Sequence, residues 1–296
     1  MSKIHLALEK AEKERVAELN KKAAVSAAGD RPLESYPWPV TNPLVLEQSN
    51  IDKSLVAFYQ PHSIISEQFR KLRTHLLRLN FSRSVKTIMV TSAVQGEGKS
   101  FVAANLAIGI AYDLHLHSLL VDCDLRNPNV GSLFGISNGN GIADYLIGRG
   151  SVADILVKTD LEKLSLIPSG TVPTNPSEII GSNRMTTLVE ELKTRYDDRF
   201  IVFDSTPLLA TSDSGVLAKL VDGIILVVRA GSTPRETITQ ALTFLEKDKI
   251  LGVVLNHVQF KAPGLFRRYF GASGYYAKNQ YGYGQGKKNR PQVHKG

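Results

Sequence analysis

Gly96, Gly98, Lys99 and Ser100 stand between a β-branched apolar run, Thr87 to Thr91, and an alanine-rich stretch, Phe101 to Asp113, whose apolar residues recur at helical spacing. Glycines at a strand-to-helix turn let backbone N–H groups point inward onto an anion, and the helix N-terminus adds partial positive charge. Lys99 is the candidate to reach the β- and γ-phosphates of a nucleotide, and the Ser100 hydroxyl to ligate Mg²⁺. The first glycine of the usual G-x-x-x-x-G-K-[ST] pattern is Ala93 here.

Carboxylates close two further apolar runs. Asp122 and Asp124 follow Ser118 to Val121, and Asp204 ends Phe200 to Asp204. An acid at the tip of a buried strand is costly unless hydrated, paired or metal-bound. Beside a phosphate-binding loop, Asp204 is the candidate to hold Mg²⁺ through water. Asp122 and Asp124 read either as part of that site or as caps of the following turn. Cys123 lies between them and reads as core.

These residues need a scaffold. Strands are expected at Thr87 to Thr91, Ser118 to Asp122, Leu164 to Pro168, Phe200 to Asp204, Gly223 to Val228 and Leu251 to Leu255. Helices are expected at Ser63 to Ser82, Lys99 to Tyr112, Pro176 to Tyr196 and Pro234 to Lys247, with a shorter one at Ile142 to Leu146. Apolar strands alternating with helices predict an α/β, P-loop NTPase-like fold whose parallel sheet carries helices on both faces. Its ligand should bind outside the carboxyl ends of the strands.

Around this domain, 63–260, the sequence sets an N-terminal helix over 1–28 with a thin apolar stripe, a proline-rich linker over 29–62 and a tail over 261–296. The tail holds eight basic residues and no acid, while the other residues balance at 28 basic and 28 acidic, so the net charge of +8 belongs to the tail. Half of the ten tyrosines, Tyr269, Tyr275, Tyr276, Tyr281 and Tyr283, fall there among Gly, Ser and Asn, the composition of a disordered segment. Such a tail attracts nucleic acid or an anionic inner-membrane leaflet by charge alone, without specificity for nucleic acid. One cysteine excludes an intrachain disulfide, and the longest nearly apolar run, Phe101 to Tyr112, is too short to span a bilayer. With no signal-peptide pattern at the N-terminus, a cytoplasmic location is expected.

The order of parts, from Ser63 to Tyr283, resembles the bacterial tyrosine kinases of capsule and exopolysaccharide assembly, in their separate cytoplasmic form. The loop is similar to S-x-x-P-G-E-G-K-S with Gln95 in place of proline, and Asp122-x-Asp124-x-Arg126 is similar to the family's second motif, D-x-D-x-R. Asp204-Ser-Thr-Pro207 departs from D-[ST]-P-P, Glu67-x-x-Arg70-x-x-Arg73 resembles the helix motif through which the family forms rings, and Asn175-Pro-Ser-Glu178 resembles its N-P-x-E segment. The first residues resemble kinases of exosortase-linked loci.

The resemblance implies an ATP- and Mg²⁺-dependent tyrosine autokinase that modifies the tail tyrosines in trans and regulates polysaccharide polymerisation and export. It implies nucleotide contacts from Gln95 through Phe101, including Glu97, and from Arg126, with Asn256 at the adenine. Metal contacts fall to Ser100, Asp122 and Asp204. Among the catalytic set Lys99, Asp122, Asp124 and Asp204, Asp122 orients or deprotonates the tyrosine hydroxyl and Asp124 supports it. Glu67, Arg70 and Arg73 join subunits of an unphosphorylated homo-oligomeric ring, and a membrane polysaccharide-copolymerase activates the kinase and holds it at the inner membrane face. Two alternatives are a partitioning-type ATPase switch, whose signature lysine is Val94 here, and a nucleotide-binding scaffold without turnover.

Overall fold

The structure is a computed structural model that describes residues 45–46, 50–136, 139–195 and 198–258, with the side chains of 80–83 left aside. The N-terminal helix expected over 1–28 and the five tail tyrosines lie outside the described residues, as does most of the stretch read as linker.

Seven strands form one sheet: β1 (Thr87–Ser92), β2 (His117–Asp122), β3 (Val157–Lys158), β4 (Leu164–Ile167), β5 (Arg199–Asp204), β6 (Gly223–Arg229) and β7 (Ile250–Asn256). Their spatial order is β3-β4-β2-β5-β1-β6-β7, and every pairing is parallel except the short β3 against β4. The continuous apolar runs are explained by burial on both sides. Ile88, Val90, Leu120, Val202, Ile225 and Val227 share one core cluster, while the alternate residues Met89, Leu119, Val121, Ile201, Phe203, Ile224 and Leu226 are buried outside it, as the two-residue pleat requires.

Helix α3 (Lys99–Ala111) packs on the first face, with α2 (Ile64–Arg83) against it. Small residues along α3 allow close approach; Phe69 Cβ lies 3.8 Å from where a side chain on Gly109 would begin. Arg73 clips the pair at the far end, donating to Gly109 O at 2.8 Å and facing Asp113 at 3.8 Å. Glu67 and Arg70 pair with each other along α2.

The packed part of the chain begins earlier than the sequence suggests. Leu46, Ile51, Leu55 and Ala57, within the expected linker, are buried in the core, and α1 (Val56–Tyr59) is fixed by Asn105 of α3. That buried amide accepts from Ala57 N at 2.8 Å and donates to Ser54 O at 3.1 Å.

The remaining helices are α4 (Val130–Leu133), α5 (Ile142–Leu146), α6 (Val152–Ile155), α7 (Pro176–Ile180), α8 (Asn183–Arg195), α9 (Asp213–Leu220) and α10 (Arg235–Leu242). The single helix expected over Pro176 to Tyr196 is therefore two, divided at Gly181 and Ser182. The helix expected over Pro234 to Lys247 stops at Leu242, before a 3₁₀ turn at Lys247–Lys249.

Candidate active site

Strand order brings the acids together. β2 and β5 are neighbours in register Asp122↔Asp204, so two residues far apart in sequence end adjacent strands at the same height. β1 pairs Val90 with Asp204 and runs two residues further before turning into the loop, which places Lys99 over the acids.

Gly96 and Gly98 have φ of +83° and +92°, in the left-handed region that only glycine enters cheaply. Beyond its chain neighbours, no atom lies within 4 Å of where a Gly96 side chain would begin, so the loop is open at that point. A Cβ on Gly98 would lie 2.1 Å from Asn256 Nδ2, which donates to Glu97 O at 2.8 Å. Asn256 therefore closes the loop from below and comes to the site through the phosphate loop. The α3 N-terminus has no side-chain cap, leaving its first-turn amides for a ligand. Gly98→Ala should cost about 1–3 kcal/mol in backbone strain and displace Asn256. Nucleotide titration should show weakened affinity with the fold retained; unchanged affinity would refute the closed-loop geometry.

The Glu97 side chain has a structural part in the loop. Its carboxylate is 1% exposed and accepts from Val94 N at 2.9 Å, from Arg229 N at 3.1 Å and from the Thr233 hydroxyl. The side chain braces the loop to the end of β6, and only its backbone remains for nucleotide. Gln95 is exposed at the loop's tip and Phe101 half-buried on the first turn of α3. Where proline is usual, Thr206 holds its loop by accepting at its carbonyl from Thr91 Oγ1 at 2.9 Å and by a hydroxyl contact with Thr211 at 2.8 Å.

Lys99 is 7% exposed, with Nζ 2.6 Å from Asp124 Oδ2. Burial alone would lower its pKa; the charges of Asp204, Asp124 and Asp122 outweigh that and raise it. Asp122 is fully buried, and both of its oxygens are used: Oδ1 accepts from Asp124 N at 3.2 Å, and Oδ2 from Asn129 N at 3.1 Å and Val130 N at 2.9 Å. It does cap the following turn. Asp124 Oδ1 likewise accepts from Asn127 N at 3.0 Å.

Asp204 is the contrast. It is fully buried, and neither oxygen receives a full hydrogen bond among the described residues, although the Ser100 hydroxyl and the Lys99 charge lie close enough to hold its pKa down. A buried carboxylate short of donors is expensive and marks a place for a cation. Mg²⁺ is commonly bound by one or two protein oxygens together with substrate phosphates. Ser100 and Asp204 at the mouth of an open anion cradle fit that ion.

Burial pushes Asp122 up to about 8, with the Asp204 charge adding to it, and pushes Asp204 up to about 6 against the lowering effect of Lys99. Between pH 4 and 8 the folded protein thus keeps protons that unfolded carboxylates have released, so ligand-free stability should fall as pH rises through that window. Thermal melting from pH 5 to 8 should show this decline, flattened in Asp204→Asn; a rise in that window would refute the burial argument.

Arg126 stands at the rim in a side-chain triangle. Its Nε donates to Asp213 Oδ2 at 3.1 Å, its Nη2 to Ser177 Oγ at 2.8 Å, and the Ser177 hydroxyl donates to Asp213 Oδ1. Asp213, 3% exposed at the start of α9, and Ser177 of α7 were missed as site residues. An acid opening a helix was the only signal for the first. For the second it was the Asn-Pro-Ser-Glu segment.

A mostly parallel sheet with a glycine loop after an interior strand, a buried lysine and strand-end acids defines a P-loop nucleotide-binding domain. Residues 85–250 match the family model described as an AAA domain. The chain is 35% identical over 210 residues to the tyrosine-protein kinase YwqD of Bacillus subtilis, covering 70% of this chain and 87% of YwqD. The kinase domain of the Escherichia coli tyrosine kinase ETK superposes with a TM-score of 0.66 at 31% identity, covering 73% of this chain and 84% of that one. The chimerical protein CapA2B2 gives 0.65 at 30% identity, covering 74% and 95%. The chain belongs to the bacterial tyrosine-kinase family, and its enzyme class is protein-tyrosine kinase. Among the described residues, no helix is long and apolar enough to cross a membrane.

Proposed function

We propose that this chain is a tyrosine autokinase that binds ATP with Mg²⁺ and phosphorylates its own C-terminal tyrosines in trans. The observation that carries the reading is the buried Asp204 carboxylate, short of hydrogen-bond donors beside Lys99, Ser100 and the glycine loop. The bound ion would neutralise phosphate charge and hold the triphosphate for in-line attack.

The remaining work falls to the chain. The loop amides and α3 N-terminus cradle the phosphates, and Lys99 leaves Asp124 to neutralise the transferred group. Asp122 orients the incoming phenol and takes its proton as the phenolic oxygen forms a bond to the γ-phosphorus and the bond to ADP breaks. Arg126, set by Asp213 and Ser177, faces the phosphates from the rim.

Acting in trans requires neighbouring subunits, and Glu67 and Arg70, partly exposed along α2, supply an ordered charge pair for one. By likeness to its relatives, the kinase works with a membrane polysaccharide-copolymerase at the inner membrane face, and phosphorylation regulates polysaccharide polymerisation and export. To test the reading, wild type is mixed with mass-tagged Lys99→Met in Mg·ATP. Phosphate on the tagged tails is expected; phosphate confined to wild-type chains would overturn transfer in trans.

A further inference from the structure

Beside the phosphate loop, an apolar cavity of about 770 Å³ runs between α2 and β7. Its walls include Ile64, Ile65 and Leu72 from α2 and Val254, Leu255 and Val258 from the β7 end, and it also reaches Phe101 and Asn256, two of the expected nucleotide contacts. Three of these are open to solvent: Ile65 at 48%, Leu255 at 58% and Val258 at 40%. An edge strand and a helix that present aliphatic side chains across a common trough are the surface of an interface.

The chain itself indicates the occupant. The described residues end at Val258, which is part of the trough's rim, and the next twelve residues carry Phe260, Leu265, Phe266 and Phe270 with a Pro263-Gly264 turn signal between the first two. Apolar residues tethered at the rim act at an effective concentration in the millimolar range, enough to fill a shallow apolar seat. We propose that the segment 259–270 docks in this trough on its own subunit, with Phe260, Leu265 and Phe266 against α2 and β7.

Docking would divide the tail. Tyr269, three residues beyond Phe266, is held near its own subunit, whereas Tyr275 to Tyr283 lie 9 to 17 residues beyond it. Extended, that is roughly 30–55 Å of reach, enough for a neighbouring subunit's site. This consequence rests on the proposed autokinase function; the docking itself does not.

The test uses the full chain, whose single native cysteine, Cys123, is buried. Ile65→Cys with Leu265→Cys is prepared as a mixture of light and heavy isotope-labelled protein, oxidised mildly and digested for mass spectrometry. Light–light and heavy–heavy disulfides are expected, at a yield unchanged on hundredfold dilution. Mixed disulfides would assign the trough to a second copy. A yield no greater than that of a control pair, Leu114→Cys with Leu265→Cys, would remove the tail segment from the trough; Leu114 is 81% exposed beyond the other end of α3. Should the double variant fold poorly, Ile65→Cys alone is labelled with a maleimide. Labelling at least tenfold slower than with Phe260, Leu265 and Phe266 all changed to Ser supports docking, and equal rates overturn it. Neither readout needs nucleotide turnover, so failure here is distinct from failure of the kinase reading.

Discussion

Lys99→Met should abolish phosphotyrosine formation while leaving the protein folded. Among the described residues, the ammonium is the one cation buried among Asp122, Asp124 and Asp204, and a nucleotide brings further negative charge to the same place. In a site this dry, removing a single charge-stabilising group typically costs about 10²–10³ in rate. A methionine fills much of the lysine's volume, so the core of α3 is kept. Incubation with Mg·ATP followed by blotting for phosphotyrosine measures the loss. A wild-type signal from the variant would mean that Lys99 and its loop are not the phosphate site.

Asp204→Ala and Asp122→Asn are expected to move ligand-free stability in opposite directions. Asp204 receives no full hydrogen bond among the described residues, so alanine removes a buried group that costs free energy, and the melting temperature should rise. Metal-dependent nucleotide binding should fall with it, by about tenfold or more, since the cation loses its protein carboxylate. Asp122 accepts three backbone N–H groups, and an amide would turn an NH₂ toward some of those donors. That variant should melt lower yet bind nucleotide with near-native affinity while losing turnover. Calorimetry and nucleotide titration on both variants decide the matter. Equal losses of binding would contradict separate roles for the two acids.

The features legible in the sequence were local ones. The glycine loop showed because strand, turn and helix are contiguous, and a run such as Thr87 to Thr91 has no other reading once a P-loop follows it. Asp122 and Asp204 could each be read as strand-end acids. Their adjacency depends on β2 lying next to β5, which a single sequence does not encode locally. Asp213 and Ser177 meet Arg126 only after three segments converge, so neither stood out.

What the Glu97 side chain does was not legible, because only the fold brings the amides of Val94 and Arg229 and the Thr233 hydroxyl to its carboxylate. The expected linker ran too far because Leu46, Ile51 and Leu55 are spaced irregularly among prolines and polar residues. The distant Asn105 ties this segment down at Ser54 and Ala57. The two-residue β3 carries too few residues to show a period.

Mass spectrometry of the purified wild-type chain after incubation with Mg·ATP, with an activator supplied where one is required, tests the autokinase reading most directly. The expected result is phosphate on tail tyrosines, foremost within Tyr275, Tyr276, Tyr281 and Tyr283, with none in matched Lys99→Met protein. ADP released with no phosphotyrosine anywhere in the chain would contradict it and leave a nucleotide switch in its place.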